Sequence, residues 1–165
     1  MSDDRVRSAR MESPLGALWV TVAEGALTGL YMDGQEGCPS VDDARGRDDD
    51  AVRPVAAQLV EYFEGRRTAF DLPVRPRGTP FQLKVWEALR EIPFGTTVSY
   101  AELARRIGAP TSARAVGAAV GKNPIGIVVP CHRVVGASGA LTGFAGGLDR
   151  KRWLLDHEGA RPLLR

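Results

Sequence analysis

At 165 residues, 44% of them hydrophobic and 25% charged, the chain has the size and composition of one large globular domain or two small ones. No apolar run reaches the ~18 residues of a membrane-spanning helix, and no apolar stretch follows the charged opening MSDDRVRSAR to act as a secretory signal. A cytoplasmic chain with no membrane partner and with Cys38 and Cys131 unpaired is therefore expected. The net charge of +2 conceals an asymmetry: residues 1–70 hold 13 acidic and 8 basic side chains, and residues 71–165 hold 7 and 14. That makes the second half the better partner for a polyanion, although a solvated face would produce the same balance.

Taken in chain order, LGALWVTVAEGALTGLYM (15–32) alternates apolar positions on either side of the turn AEGA and predicts two strands. Residues 33–50, rich in Gly and Asp and carrying DDARGRDDD, predict a loose surface loop. In AVRPVAAQLVEYFEG (51–65), Val55, Leu59, Tyr62 and Phe63 fall at helical spacing and Gly65 supplies the stop. TAFDLPV (68–74) reads as a returning strand, and RPRGTP (75–80) as a linker. The expected class is α+β. A small N-terminal α/β domain of antiparallel strands plus a helix (1–74) precedes the linker and a mostly helical C-terminal domain (81–165). The first domain shows no chemistry of its own.

The second part opens on Thr79, a natural N-cap, with Pro80 at the first helical position. Phe81, Val85, Trp86, Leu89 and Ile92 form one stripe. In SYAELARRIG, Ser99 and Glu102 have capping-box spacing and Gly108 ends the helix. After APT, SARAVGAAVGKN predicts a third helix, which completes a helix-turn-helix. Ala113, Ala115, Gly117, Ala118 and Ala119 leave that helix nearly bare, with Arg114 its only charge before Lys122. Such a surface suits close helix packing, and equally a helix lying in a nucleic-acid groove with Arg114 reaching toward the base stack.

NPIGIVVPCHRVVGASG (123–139) sets Cys131 beside His132, behind Pro130 and at the end of a β-branched run. A thiol becomes a nucleophile when its surroundings lower its pKa or remove its proton. Neighbours on an extended chain point to opposite faces, so the link from base to thiol needs a bend, which Pro130 can supply, or a bridging water. A further group must hold the imidazole, and Glu158, Asp156 and His157 in LLDHEG compete for that role. The window holds too few ligands for a zinc centre.

VPCHRVVG, with NP eight residues ahead of the cysteine, resembles the O6-alkylguanine-DNA alkyltransferases, the methylated-DNA–protein-cysteine methyltransferases. FQLKVWEALREIPFGTT, TVSYAELA, ARAVGAAVGKNP and GFAGGLDRKRWLLDHEG are similar to the same family in the same order. The resemblance covers residues 79–165 closely and residues 1–78 loosely. It implies that Cys131 is the acceptor of an alkyl group from guanine O6, with His132 as base through a water and Glu158 as its orienter. It implies that Arg114 fills the stack left by a flipped nucleotide, and that Tyr100 turns the 3′ phosphate and donates a proton toward the leaving guanine. Ser99, Ala113, Ala115 and Gly117 would complete the DNA contacts. Asn123 resembles the hinge that ties the turn to the Cys-His backbone. The carbonyls of Cys131 and Val134 would read the exocyclic amine, and Lys151 would support a pocket that also holds Pro130, Phe144 and Ala145. The implied partner is duplex DNA containing O6-alkylguanine, met by a monomer or by molecules bound side by side. Neither cofactor nor metal is implied.

The chain departs from the family where many members carry a tyrosine and a serine or glycine, here Phe144 and Ala145, so recognition of O6 would fall to backbone N–H groups. The N-terminal half has Cys38 but no histidine, so the zinc site of some relatives is not expected. Three other readings compete: a non-catalytic binder of alkylated DNA, a transcription regulator, and a cysteine hydrolase. Cys131 itself argues against the first. The chain is too short for the extra DNA-binding segments of the second, and no oxyanion loop supports the third.

Overall fold

The computed structural model describes residues 6–38 and 46–160. Three antiparallel strands, β1 (Val6–Met11), β2 (Leu18–Ala23) and β3 (Ala26–Met32), form a sheet in the order β1-β2-β3. The two-residue turn between β2 and β3 places both Glu24 (φ +51) and Gly25 (φ +82) in the left-handed region, as a type I′ hairpin requires. Strand β1 was not expected from the sequence. Its Arg7 and Arg10 face solvent on an edge strand and mask the alternation that Ala9 continues inward.

Helix α1 (Asp49–Phe63) buries Val52, Val55, Leu59 and Tyr62, and ends before Gly65 (φ +78). The predicted loop 33–50 is corrected at its end. Asp48 caps α1 through the Ala51 N–H, and Asp49 and Asp50 lie in the first turn, where carboxylates favour the helix dipole. Residues 39–45 of that loop lie outside the described residues. The strand expected over 68–74 is also corrected. Only one bridge forms, with Leu27 N–H donating to the Pro73 carbonyl and Arg75 N–H donating back to Leu27. Pro73 has no N–H with which to extend a ladder.

Helix α2 (Pro80–Leu89) begins with a full Thr79–Gln82 capping box. Ser99 caps α3 (Tyr100–Arg106) through the Glu102 N–H, but the Glu102 carboxylate pairs outward with Arg105 and Arg106, so only half of that predicted box forms. Residues 107–112 turn the chain into α4 (Ala113–Gly121), with Gly108 at φ +78 closing α3. Val116, Ala119 and Val120 pack α4 against α2 and α3, and the Trp86 indole donates to the Ala119 carbonyl at 2.8 Å. The opposite face, Arg114, Ala115, Ala118 and Gly121, is exposed. A short parallel pair, β4 (Val98–Ser99) with β5 (Val134–Val135), and helix α5 (Leu148–His157) complete the described fold. One continuous core joins the sheet, α1 and the helical part. Among the described residues no helix is long and apolar enough to cross a membrane.

Candidate active site

The segment leaving α4 is held by β3 before it reaches Cys131. Leu30 N–H donates to the Pro124 carbonyl at 2.8 Å, and Gly126 N–H donates back to Leu30 at 3.1 Å. The Asn123 amide, 4% exposed, donates to the Val129 carbonyl at 2.8 Å and accepts from the Ile125 N–H at 3.0 Å. Two tight turns follow. Val128 N–H bonds to the Gly126 carbonyl around Ile127, whose φ of +69 is strained for a β-branched residue. Cys131 N–H then bonds to the Val129 carbonyl around Pro130, at φ −81 and ψ 66, an inverse γ-turn. Pro130 therefore makes the bend the sequence called for, and Cys131–Arg133 continue as one turn of 3-10 helix.

That turn places three consecutive side chains in the interior. His132, with no solvent exposure, meets Glu158 through Nε2 at 2.8 Å, and its Nδ1 has no hydrogen-bond partner in the protein. The sequence left Glu158, Asp156 and His157 in competition. Glu158 takes the role, while Asp156 is exposed and His157 bonds to the Tyr62 carbonyl. Burial lowers the proton affinity of His132 more than Glu158 raises it, so the imidazole rests neutral. With Nε2–H donating to Glu158, Nδ1 is left as a buried acceptor.

Glu158 caps α5 and receives Arg133 Nε at 2.8 Å, Arg133 Nη2 at 2.9 Å and the Tyr62 hydroxyl at 2.6 Å. Burial would raise its pKa, but the His132, Arg133 and Tyr62 hydrogen bonds hold it well below the usual carboxylate range. Arg133 also donates to the Ile92 carbonyl at 2.6 Å. The sequence reading missed both Arg133 and Tyr62. Arg133 had a signal, as a cation next to the Cys-His pair. Tyr62 read only as part of an apolar stripe.

Burial pushes the Cys131 thiol above its ordinary range, while hydrogen bonding from Asn123 and the charge of Lys151 pull it down. Lys151 has no solvent exposure, and Nζ donates to the carbonyls of Val134 at 2.7 Å and Thr142 at 2.8 Å. Desolvation lowers its pKa to about 8. The Val134 carbonyl named as a reader of the base is thus already engaged once, and the Cys131 carbonyl accepts the Val134 N–H. Each retains a second lone pair.

Beside this centre, a cleft of about 830 Å³ opens between α4 and the 136–144 loop. Tyr100, Ala113, Arg114, Gly117, Gly136, Thr142 and Phe144 line it, and Thr142 Oγ1 donates to the Tyr100 hydroxyl at 3.3 Å. Arg114 is exposed. Cys131, 7% exposed, does not line the cleft. Ser99 lies at the start of α3, and Ala115 lies on the outer face of α4. Ala145 departs from the grouping expected of it: it lines a separate depression with Tyr31, Lys122 and Asn123.

Two family models match the chain: the DNA-binding domain of 6-O-methylguanine DNA methyltransferase over residues 80–160, and its ribonuclease-like domain over residues 6–76. A methylated-DNA–protein-cysteine methyltransferase from Mycolicibacterium paratuberculosis is 50% identical over 149 residues, which is 88% of this chain and 87% of the relative. One from Methanosarcina acetivorans is 45% identical, covering 92% and 97%. Among solved structures, Mycobacterium tuberculosis OGT in complex with DNA superposes with a TM-score of 0.85 at 47% identity, covering 96% of this chain and 95% of that one. With half of the aligned residues identical over 88% of its length, and both family models matched, this chain belongs to the methylated-DNA–protein-cysteine methyltransferase family.

Proposed function

We propose that this chain repairs DNA by direct reversal, moving an alkyl group from guanine O6 in duplex DNA onto Cys131, and that each molecule acts once. The observation that carries this reading is the pairing of His132 Nε2 with Glu158, which leaves Nδ1 as a buried acceptor in the residue next to the thiol. The thiol rests protonated, so the proton leaves as the reaction proceeds. It passes through a water to Nδ1, and the anionic Glu158 stabilises the imidazolium. Sulfur attacks the alkyl carbon, the carbon–O6 bond breaks, and its electrons go to the guanine. Tyr100 donates a proton to that leaving group and is reprotonated from water, while the imidazolium releases the thiol's proton to water, so one proton leaves the thiol and one ends on guanine. The product is a thioether, which no group in the site can hydrolyse.

The alkyl carbon is inaccessible inside a duplex, so the base must be everted, at a cost of a few kcal/mol. The bare outer face of α4 supports close approach to the DNA, and Arg114 is free to enter the vacated stack. The cleft beside Tyr100 receives the base, and the 136–144 loop yields to admit it to the sulfur. Binding is by the helix-turn-helix, to O6-alkylguanine in duplex DNA, by a monomeric protein in the cytoplasm.

Intact mass before and after incubation with duplex DNA containing O6-methylguanine tests the proposal. One added methyl group on the peptide holding Cys131 is expected. Unmodified protein recovered with repaired DNA in several-fold excess would end the single-use claim. Cys131→Ala should still bind alkylated DNA, and loss of binding would make the thiol a structural group instead.

A further inference from the structure

The Glu158 carboxylate holds more donors than orienting an imidazole requires. Oε2 alone accepts from His132 Nε2 at 2.8 Å, Arg133 Nη2 at 2.9 Å and the Tyr62 hydroxyl at 2.6 Å. Such an oxygen offers two lone pairs, so three donors compete for them. Tyr62 belongs to the other half of the molecule. It lies in the last turn of α1 with no solvent exposure, and its own carbonyl accepts from His157 Nε2 at 2.7 Å. Its ring packs edge-on against His157 (centroids 5.0 Å apart) and Phe94 (6.2 Å), with Phe70 at 5.4 Å. Phenylalanine would fill that space equally well, so the hydroxyl is the part that packing does not explain.

We infer that Tyr62 is a positioning residue for alkyl transfer: its hydroxyl fixes Glu158 Oε2 against His132 Nε2 and draws off part of the carboxylate's charge, which keeps the imidazole neutral and open at Nδ1. The inference rests on the alkyl-acceptor reading of Cys131. An unshared carboxylate would attract an imidazolium more strongly, so loss of the hydroxyl makes His132 easier to protonate. Glu158 favours protonation of His132, while Arg133 and Lys151 oppose it. Tyr62 acts on this balance through Glu158, and His157 touches Tyr62 at its ring and carbonyl.

The test is the rate of alkyl transfer from free O6-benzylguanine to Cys131 across about pH 5 to 8, followed by mass. His157→Gln is used in every arm, so that His132 is the only histidine left and the glutamine amide can still donate to the Tyr62 carbonyl. In Tyr62→Phe the acid limb of the profile should move to higher pH by about half a unit or more. Replacing Tyr62 by 3-fluorotyrosine, a stronger donor of nearly the same shape, should move it the other way. Limbs unshifted in both proteins overturn the inference, whatever their melting temperatures. If Tyr62→Phe does not fold, the fluorotyrosine protein decides alone. A parent protein that takes no benzyl group on Cys131 defeats the alkyl-acceptor reading itself, a result distinct from an unshifted limb.

Discussion

Asn123 Nδ2 and the carbonyl of Val129, six residues apart, meet at 2.8 Å inside the protein and close the loop that ends in Cys131. The same side chain engages the Ile125 N–H and its carbonyl, and helps hold down the pKa of the buried thiol. It is thus both a clamp on the backbone and part of the electrostatic surroundings of the Cys131 thiol.

Asn123→Ala should cost about 1–3 kcal/mol, because the Ile125 N–H stays buried without a partner while the Val129 carbonyl keeps only the Cys131 N–H. It should also slow alkyl transfer at neutral pH by removing a contact that favours the thiolate. Urea unfolding and single-turnover rates measure the two effects. Wild-type values in both would contradict the clamp.

Arg114 is exposed on the outer face of α4, so Arg114→Ala should leave stability within about 0.5 kcal/mol. Repair in duplex DNA should fall at least ~10-fold, since the everted state loses its support. Reaction with free O6-benzylguanine should fall much less. Equal losses on both substrates would rule out a role in the base stack.

Lys151 has a pKa of about 8 in the fold against an ordinary 10.5. Between those values the unfolded chain holds a proton that the folded chain has released, so this site adds stability as pH rises through that window. Relative to Lys151→Met, the wild-type protein should gain up to ~3 kcal/mol from pH 8 to 10.5. Denaturant midpoints across the window measure the gain, and parallel curves would mean that the ammonium is not desolvated. The variant should also transfer alkyl groups more slowly, having lost the charge that favours the Cys131 thiolate.

Acid should weaken the protein in two stages. His132 is harder to protonate in the fold than its ordinary 6.5, so as pH falls below that value the unfolded chain takes up the proton first and stability declines. Below the ordinary 4.5 of Glu158, a second decline follows for the same reason, because the folded carboxylate stays ionised. Unfolding free energies measured from pH 7.5 to 4 should show both. A flat profile between pH 7 and 5 would show that His132 titrates as it does in solvent.

Much of this arrangement is legible in the chain, because its signals are local. Thr79-Pro80 opens a helix, Gly108 closes one, and the apolar spacing of α1 is visible in Val55, Leu59 and Tyr62. The turn at Pro130 is foreshadowed by proline chemistry. What stays hidden depends on distant partners. Tyr62 and Glu158 lie 96 residues apart, so no window contains the pair. Lys151 sits in DRKR close to Asp149 and Arg152, which face solvent, and only the carbonyls of Val134 and Thr142 explain why it turns inward. Strand β1 escaped notice because an edge strand with outward arginines carries little apolar alternation.

The pairing of Leu30 with Pro124 and Gly126 makes the third strand a splint for the turn that carries Cys131. Heat that loosens the sheet must therefore slacken the support of the Cys131 turn at the same moment. The front and rear halves should melt in a single calorimetric endotherm, and capacity to take up an alkyl group should vanish along that same curve rather than ahead of it.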